Sequence, residues 1–203
     1  MKNQEFFNKP KPRKNVIELF KLDCEQLAKQ NETRPILLCF TCDAYQNINE
    51  MYNITRKAIR ILVDNDLKFK ILTKGGKRST VDFDIIAEKP HLCEYGTTLV
   101  FNDRKSSEIE RFAAPTSKRI QALKEAHELG LKTWVSLEPV WDCKETLNII
   151  EKTSSFVDVF KIGKLNYDPH AKTIDWIKFR EDVIKVCERL GAEYVLKNDL
   201  KNL

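Results

Sequence analysis

The stretch PTSKRIQALKEAHELGLKTWVSL, residues 115–137, decides the fold class of this chain. Pro115 stands where a helix can begin and Gly130 where it can end, because proline suits the first turn of a helix and glycine suits the residue that follows its last turn. The apolar run LKTWVSL at 131–137 then predicts a buried strand. A helix that passes directly into a strand is the repeating unit of a parallel α/β sheet.

The same unit recurs along the chain. Apolar spacing predicts a first helix, then five strand–helix pairs, then a last short strand. The predicted strands lie at 36–40, 68–73, 92–100, 131–137, 156–162 and 194–196, and the predicted helices at 15–30, 49–65, 80–88, 115–129, 144–153 and 174–190.

Strict alternation of this kind favours one parallel sheet with right-handed crossovers. No G-x-G-x-x-G run follows the first strand, so an open dinucleotide-binding sheet is not favoured. The pattern also begins on a helix. The sequence therefore predicts an α/β fold with a parallel sheet and favours a barrel, and a βα barrel that starts on a helix has either lost its first strand or receives it from elsewhere.

Length and charge set the broad class of the protein. The chain has 203 residues, and we expect one domain over 15–203 after a flexible basic lead-in at 1–14. The net charge of +5, from 35 basic and 30 acidic residues, permits an anionic partner without indicating one. The sequence has neither an apolar run of about 18 residues nor a signal-peptide core, which predicts a cytoplasmic protein without a membrane partner.

Cysteine and histidine positions argue against a metal site of the zinc type. Cys39 and Cys42 are the only cysteines close in sequence, no second pair completes a site, and alternation along a strand predicts that their side chains point to opposite faces. The other members of this set are predicted to pack in the core (Cys24, Cys93, Cys187) or to be structural or solvated (His91, His127, His170).

Polar residues follow the carboxyl ends of the predicted strands, which is where parallel α/β folds carry their chemistry. Asp43 suits either an amine ligand or a turn. Lys74-Gly75-Gly76 suits either an anion site, with backbone N–H groups and an ammonium, or a plain turn. Glu138 and Lys161 continue apolar runs, so they are expected either to pair with each other or to hold the polar groups of a cofactor.

Four stretches together carry a family resemblance: TRPILLCFTCDAYQ, ILTKGG, APTSKRIQALKEAHELGLKTWVSLEPV and VDVFKIGKLNY. They resemble the radical S-adenosylmethionine (radical SAM) proteins of the spore photoproduct lyase-like group, many of which are called DNA repair photolyases. The likeness spans roughly residues 15–200. It implies a parallel partial (β/α)6 TIM-like barrel that is missing its first strand. It also implies S-adenosylmethionine bound at the carboxyl ends of the strands of an iron–sulfur enzyme.

The resemblance also implies roles for single residues. Thr41, Cys42 and Asp43 correspond to contacts near the methionine end of the cofactor, and Lys74 to a lysine that faces its carboxylate. Ser136 and Glu138 correspond to a later strand end near the ribose and adenine. Lys161 completes the predicted cofactor contacts.

Two departures from the family pattern stand out. The family holds a [4Fe–4S] cluster on a C-x-x-x-C-x-x-C loop, whereas the cysteines here are 15, 3, 51, 50 and 44 residues apart, so the expected cluster has no ligands in this sequence. The resemblance places that loop after a first strand, upstream of residue 1.

In the lyase itself a hydrogen-donor cysteine begins a C-T-S-D stretch. Here Phe40 takes that position, which argues against thymine-dimer repair.

Three functional hypotheses stay open on the sequence. The chain is a truncated or split radical SAM enzyme, inactive alone; or it is a SAM-binding module completed by a separate cluster-bearing N-terminal chain; or it is an unrelated phosphate-binding barrel enzyme that uses Lys74, Gly75 and Gly76. The Lys77-Arg78 pair permits a nucleic-acid partner but falls far short of a basic binding face. The sequence identifies neither the substrate nor a catalytic residue.

Overall fold

A computed structural model describes residues 10–39 and 41–203. Its centre is a sheet of six parallel strands whose spatial order, β1-β2-β3-β4-β5-β6, is also their order along the chain. A doubly wound sheet reverses its strand order part-way, so this unbroken order is that of a barrel. The sheet does not close, and the predicted partial barrel is confirmed. The strands are β1 (Ile36–Leu38), β2 (Phe69–Thr73), β3 (Cys93–Thr98), β4 (Lys132–Leu137), β5 (Val159–Ile162) and β6 (Glu193–Leu196).

Helices connect successive strands and cover one face of the sheet. In chain order they are α1 (Val16–Lys29), α2 (Asn49–Tyr52), α3 (Ile54–Asp64), α4 (Lys77–Thr80), α5 (Phe83–Ile86), α6 (Asp103–Ile109), α7 (Thr116–Glu128), α8 (Cys143–Thr153), α9 (Trp176–Leu190) and α10 (Asn198–Lys201). Two short 3-10 turns, Pro90–Leu92 and Pro169–Thr173, precede β3 and α9. In the described residues no helix has the length and apolar character needed to cross a bilayer.

Some helix boundaries differ from the predicted ones. The helix predicted over 49–65 is broken at Asn53, whose φ of 51° lies in the left-handed region and separates α2 from α3. The helix predicted over 80–88 is replaced by α4 and α5. Two helices were not predicted: α6, which begins where the Asn102 side chain accepts a hydrogen bond from the Lys105 amide, and α10. Most of the predicted lead-in, residues 1–9, lies outside the described residues.

The two faces of the sheet have different chemistry because side chains alternate along a strand. Phe69 and Ile71 point toward the helices and are fully buried. Lys70 points to the opposite side, in register with Glu94 of β3. We call this uncovered side the inner face. It is lined along the six strands by Leu37, Lys70, Leu72, Glu94, Gly96, Thr98, Lys132, Trp134, Ser136, Val159, Lys161, Glu193 and Val195.

The core lies between the sheet and the helices. Cys24, Cys93 and Cys187 are all buried within it, as predicted. Burial raises the pKa of the Cys24 and Cys187 thiols to about 11, so neither is a reactive thiolate near neutral pH.

Candidate functional site at the carboxyl ends of the strands

The loop after β1 is tied to the end of β2 by a single carboxylate. Asp43 Oδ1 accepts hydrogen bonds from the Thr73 hydroxyl at 2.6 Å and the Tyr45 amide at 2.8 Å, and its Oδ2 accepts one from the Lys74 amide at 2.6 Å. The bond to Tyr45, two residues on, is the turn predicted as one alternative for Asp43. Asp43 therefore fixes the position of the loop that carries Thr41 and Cys42.

The Lys74-Gly75-Gly76 stretch has the donors of an anion site, but two of its three backbone amides are already used. The amide of Lys74 donates to Asp43, and the amide of Gly75 donates to the Thr73 hydroxyl at 2.8 Å. Gly76 has a φ of 54°, and a Cβ there would lie 2.8 Å from that of Ala114. The Asp43 carboxylate thus occupies part of the predicted anion site.

The Lys74 ammonium itself faces a carboxylate from the next loop. Its Nζ lies 2.5 Å from Glu110 Oε1, and the other oxygen of Glu110 lies 2.6 Å from Arg119 and accepts from Ser106 at 3.0 Å. Burial acts to raise the pKa of Glu110, but hydrogen bonds from Arg119 and Lys74 outweigh it and lower the pKa overall. Lys74 is still about 40% exposed, so one side of it faces solvent at the sheet edge.

Arg119, on α7, is the anchor of this network, and it was not predicted. It is fully buried and also donates to the backbone oxygens of Ala114 at 2.7 Å and Thr98 at 2.9 Å. A signal for it exists in the sequence. Arg119 shares a helical face with Ala122, Leu123 and Ala126, and a charged residue on an otherwise apolar face needs a buried partner.

The ends of β4, β5 and β6 carry a second group of charges. An ion pair with Lys161 was one of the two alternatives for Glu138, but its carboxylate lies 3.3 Å from Lys197 Nζ, beyond β6. Gly163 leaves room for the Glu138 side chain above β5, because a Cβ at Gly163 would lie 2.7 Å from Glu138 Cδ.

Lys161 instead lies over an aromatic ring on the inner face. Its Nζ is 3.7 Å from the centre of the Trp134 indole, a distance typical of a cation–π contact. The indole lies across Gly96 of β3, where a Cβ would come within 2.3 Å of it. Trp134 was also missed by the sequence reasoning, although Lys132, Trp134 and Ser136 alternate in the manner of inward-facing strand residues.

The remaining predicted site residues lie between these two groups or beside them. Thr41 and Cys42 are exposed on the loop after β1, and Ser136 is buried at the end of β4. Phe40 lies outside the described residues. Burial, and then the neighbouring Cys42 thiol, raise the pKa of Cys39 to about 12. The prediction that the Cys39 and Cys42 side chains point to opposite faces assumed a strand through both residues, but β1 ends at Leu38.

Neither the cysteines nor the histidines build a metal site within 10–39 and 41–203. In that part of the chain no group of three His, Cys, Asp or Glu residues could hold a metal ion. His170 stacks on Trp141 with ring centres 4.9 Å apart, and its Nε2 lies 2.9 Å from the Trp141 backbone oxygen. This is the structural role expected of it.

The sequence matches two curated proteins over part of their length. It is 29% identical over 133 residues to the uncharacterized protein MJ0683 of Methanocaldococcus jannaschii, covering 64% of this chain and 50% of that protein. It is 26% identical over 173 residues to the uncharacterized protein ORF301 of Acidianus two-tailed virus, covering 78% and 56%. The chain spans about half the length of these relatives. No protein-family model matches it.

Solved structures of Streptococcus suis SuiB have a closely similar backbone. SuiB bound to S-adenosylmethionine superposes with a TM-score of 0.68 at 13% identity, covering 94% of this chain and 45% of SuiB. SuiB bound to its precursor peptide SuiA gives the same TM-score and identity. This chain and SuiB share a fold. At such low identity the likeness establishes the architecture and leaves the chemistry to be argued from the residues.

The structure thus sorts the seven predicted contacts into two groups. Asp43 and Lys74, with Thr41 and Cys42 beside them, lie at the ends of β1 and β2, while Ser136 and Glu138 lie at the end of β4. Lys161 lies beside Ser136 on the inner face, in register across β4 and β5. Together the two groups place the partly exposed Lys74 ammonium and the partly exposed Glu138 carboxylate along the same edge of the sheet. This arrangement suits a ligand that carries both charged groups and hydroxyls.

Proposed function

We propose that this chain is the S-adenosylmethionine-binding part of a radical SAM protein. The observation that carries the proposal is the pair of half-exposed groups at one sheet edge, with Lys74 about 40% and Glu138 about 38% exposed, on a fold shared with a protein solved with S-adenosylmethionine bound. A lysine matches the carboxylate of that cofactor, and a glutamate matches its ribose hydroxyls. The resemblance in sequence points the same way.

Within this proposal the cofactor contacts are Thr41, Cys42, Asp43, Lys74, Ser136 and Glu138. Bound S-adenosylmethionine would supply the adenosyl group for radical chemistry. The chain's own part is to hold it: Lys74 binds the carboxylate while remaining paired with Glu110, and Asp43 keeps the loop bearing Thr41 and Cys42 in place.

An iron–sulfur cluster does not fit the described residues. It needs three neighbouring thiolates, and only Cys39 and Cys42 are close to each other. We therefore propose that the cluster-bearing loop comes from another stretch of polypeptide, on a separate chain or a longer form of this one, and that the 203-residue chain alone does not cleave the cofactor. Cluster absorbance and 5′-deoxyadenosine formation by the purified chain, under anaerobic reducing conditions, would contradict this.

Calorimetric titration with S-adenosylmethionine tests the binding proposal directly. We expect the chain to bind the cofactor and Lys74→Gln to weaken it about tenfold or more, since a charge-assisted hydrogen bond to the carboxylate is lost. Lys77→Gln is the matched control, because Lys77 lies three residues away on the exposed start of α4. Absence of cofactor binding, or equal losses in both variants, would refute the proposal.

The phosphate-binding alternative has less support. Its two backbone donors, the amides of Lys74 and Gly75, already donate to Asp43 and Thr73. A phosphate at this turn would have to displace the carboxylate that orders the loop.

A further inference from the structure

The inner face of the sheet around Lys161 is unusually polar for the interior of a barrel. Lys70 and Glu94 face each other across β2 and β3 with their charges 2.6 Å apart. Lys132 lies beside Glu94 in register, and Lys161 lies beside Ser136. Charged side chains on this face cost free energy unless they are paired or hold a ligand.

Lys161 is the partly buried member of this set whose charge is not balanced, whereas Lys132, which also has no carboxylate partner among the described residues, is exposed to solvent. Glu94 is engaged by Lys70 and Glu138 by Lys197, and among the described residues no carboxylate lies within 4.0 Å of the Lys161 ammonium. Its close partner is the Trp134 ring. Burial, followed by the nearby charge of Lys70, lowers the pKa of Lys161, with Lys197 and Lys132 adding to the effect and Glu94 opposing it. The surroundings of this lysine are therefore positive.

Trp134 provides a second, independent observation. The residue is 5% exposed, and within the described part of the chain its indole Nε1 has no hydrogen-bond partner. Buried donors without acceptors are rare in folded proteins and call for a ligand or an ordered water. The ring cannot move deeper, because it already rests on Gly96. The Lys161 ammonium, which has no carboxylate partner among the described residues, and the Trp134 N–H, which has no acceptor among them, thus belong to the same cation–π pair.

We infer that Lys161 and Trp134 form a binding site for an oxyanion, a phosphate or carboxylate group carried by the substrate. An oxyanion would balance the lysine and offer an acceptor to the indole N–H. This assigns Lys161 to the substrate, whereas the sequence analysis predicted it among the cofactor contacts. The assignment of the oxyanion to a substrate rests on the proposed function. The binding of an oxyanion at this face does not depend on the proposed function.

The test measures binding of two simple probes, sodium pyrophosphate and sodium succinate, by calorimetry at constant ionic strength. We expect the wild-type chain to bind at least one of them, with the preferred probe distinguishing a phosphate-bearing from a carboxylate-bearing substrate. Lys161→Gln should weaken that binding about tenfold, the effect of losing one charge-assisted contact. Lys124→Gln, which removes the same charge from the exposed face of α7, should leave it unchanged.

A second measurement needs no variant that might misfold. The wild-type chain is acetylated with limiting reagent, with and without the bound probe, and each lysine is read by mass spectrometry. Protection of Lys161 but not Lys124 is expected. The inference is overturned if neither probe binds or if Lys161 is not protected. It is also overturned if Lys161→Gln weakens S-adenosylmethionine and leaves the probes unaffected, which would place Lys161 in the cofactor site.

Discussion

The two halves of the carboxyl edge are built on opposite plans. At β1–β3, Asp43 accepts hydrogen bonds from Thr73 and the Lys74 amide, and Glu110 pairs with Lys74 and with the buried Arg119. At β4–β6, Lys197 is about half exposed, and the Lys161 ammonium has an aromatic ring for a partner. The first half is held by a network of ion pairs and hydrogen bonds, whereas the charges of the second half are less completely paired. The difference indicates that the network of β1–β3 contributes more to the stability of the fold than the charges of β4–β6 do.

Removing Arg119 should cause the largest loss of unfolding free energy and so test the contrast between the two halves most directly. Arg119→Met leaves Glu110 in a largely buried position with Lys74 as its one ion-pair partner, and breaking a buried pair costs about 3–5 kcal/mol of unfolding free energy. Urea unfolding followed by circular dichroism measures this. Lys124→Met, one and a half turns further along α7 and exposed, should change the unfolding free energy by less than about 0.5 kcal/mol. Similar losses of unfolding free energy in both variants would show that the Arg119 network does not stabilise the fold.

Adding one methyl group to Gly96 on the inner face, or to Gly163 just after β5, compares a rigid with a flexible neighbour. Gly96→Ala places its Cβ 2.3 Å from the rigid Trp134 indole and should cost about 1–3 kcal/mol in urea unfolding. Gly163→Ala meets the flexible Glu138 side chain at 2.7 Å and should cost less than about 1 kcal/mol, because that chain can swing aside. A larger loss for Gly163→Ala would mean that the Glu138–Lys197 contact supports the fold.

The smallest expected effect is a dependence of stability on pH. The pKa of Glu110 is lower in the folded chain than its unfolded value of about 4.3. The contribution of Glu110 to the free energy of unfolding is therefore complete above that unfolded value and is lost as the pH falls through the folded pKa. Glu110→Gln should be less stable than wild type at pH 7, and the two should converge between about pH 5 and pH 3. Urea midpoints across that range measure this, and parallel curves would contradict it.

Periodicity was enough to predict the sheet, because its strands are short apolar runs between helices with clear boundaries. It also placed Asp43, Lys74 and Glu138 at strand ends, since alternation of strand and helix brings those ends to one edge. The side-chain partners of these residues could not be predicted from the sequence. Glu110 and Lys197 meet them through loops far along the chain, and the crossing of Glu138 above Gly163 depends on sheet geometry that no local pattern records.

The break at Asn53 and the end of β1 were not predicted, for a related reason. Asn53 departs from the helix by one left-handed residue within a sequence whose apolar spacing continues on both sides. The first strand was predicted to run beyond Leu38, where β1 ends, so alternation along the strand does not reach Cys42. Both errors concern where an element ends, which depends on single backbone torsions and not on apolar spacing.

The order of the strands has a consequence for how the molecule assembles. Since each strand pairs with its neighbours in the chain, every sheet contact closes a short loop, and the sheet can grow one strand–helix unit at a time. Among the described residues, the middle strands β2 to β5 are hydrogen-bonded on both sides, and β1 and β6 on one. We therefore expect local opening to begin at the outer strands, so that the loop bearing Thr41 and Cys42 and the contact between Lys197 and Glu138 loosen first.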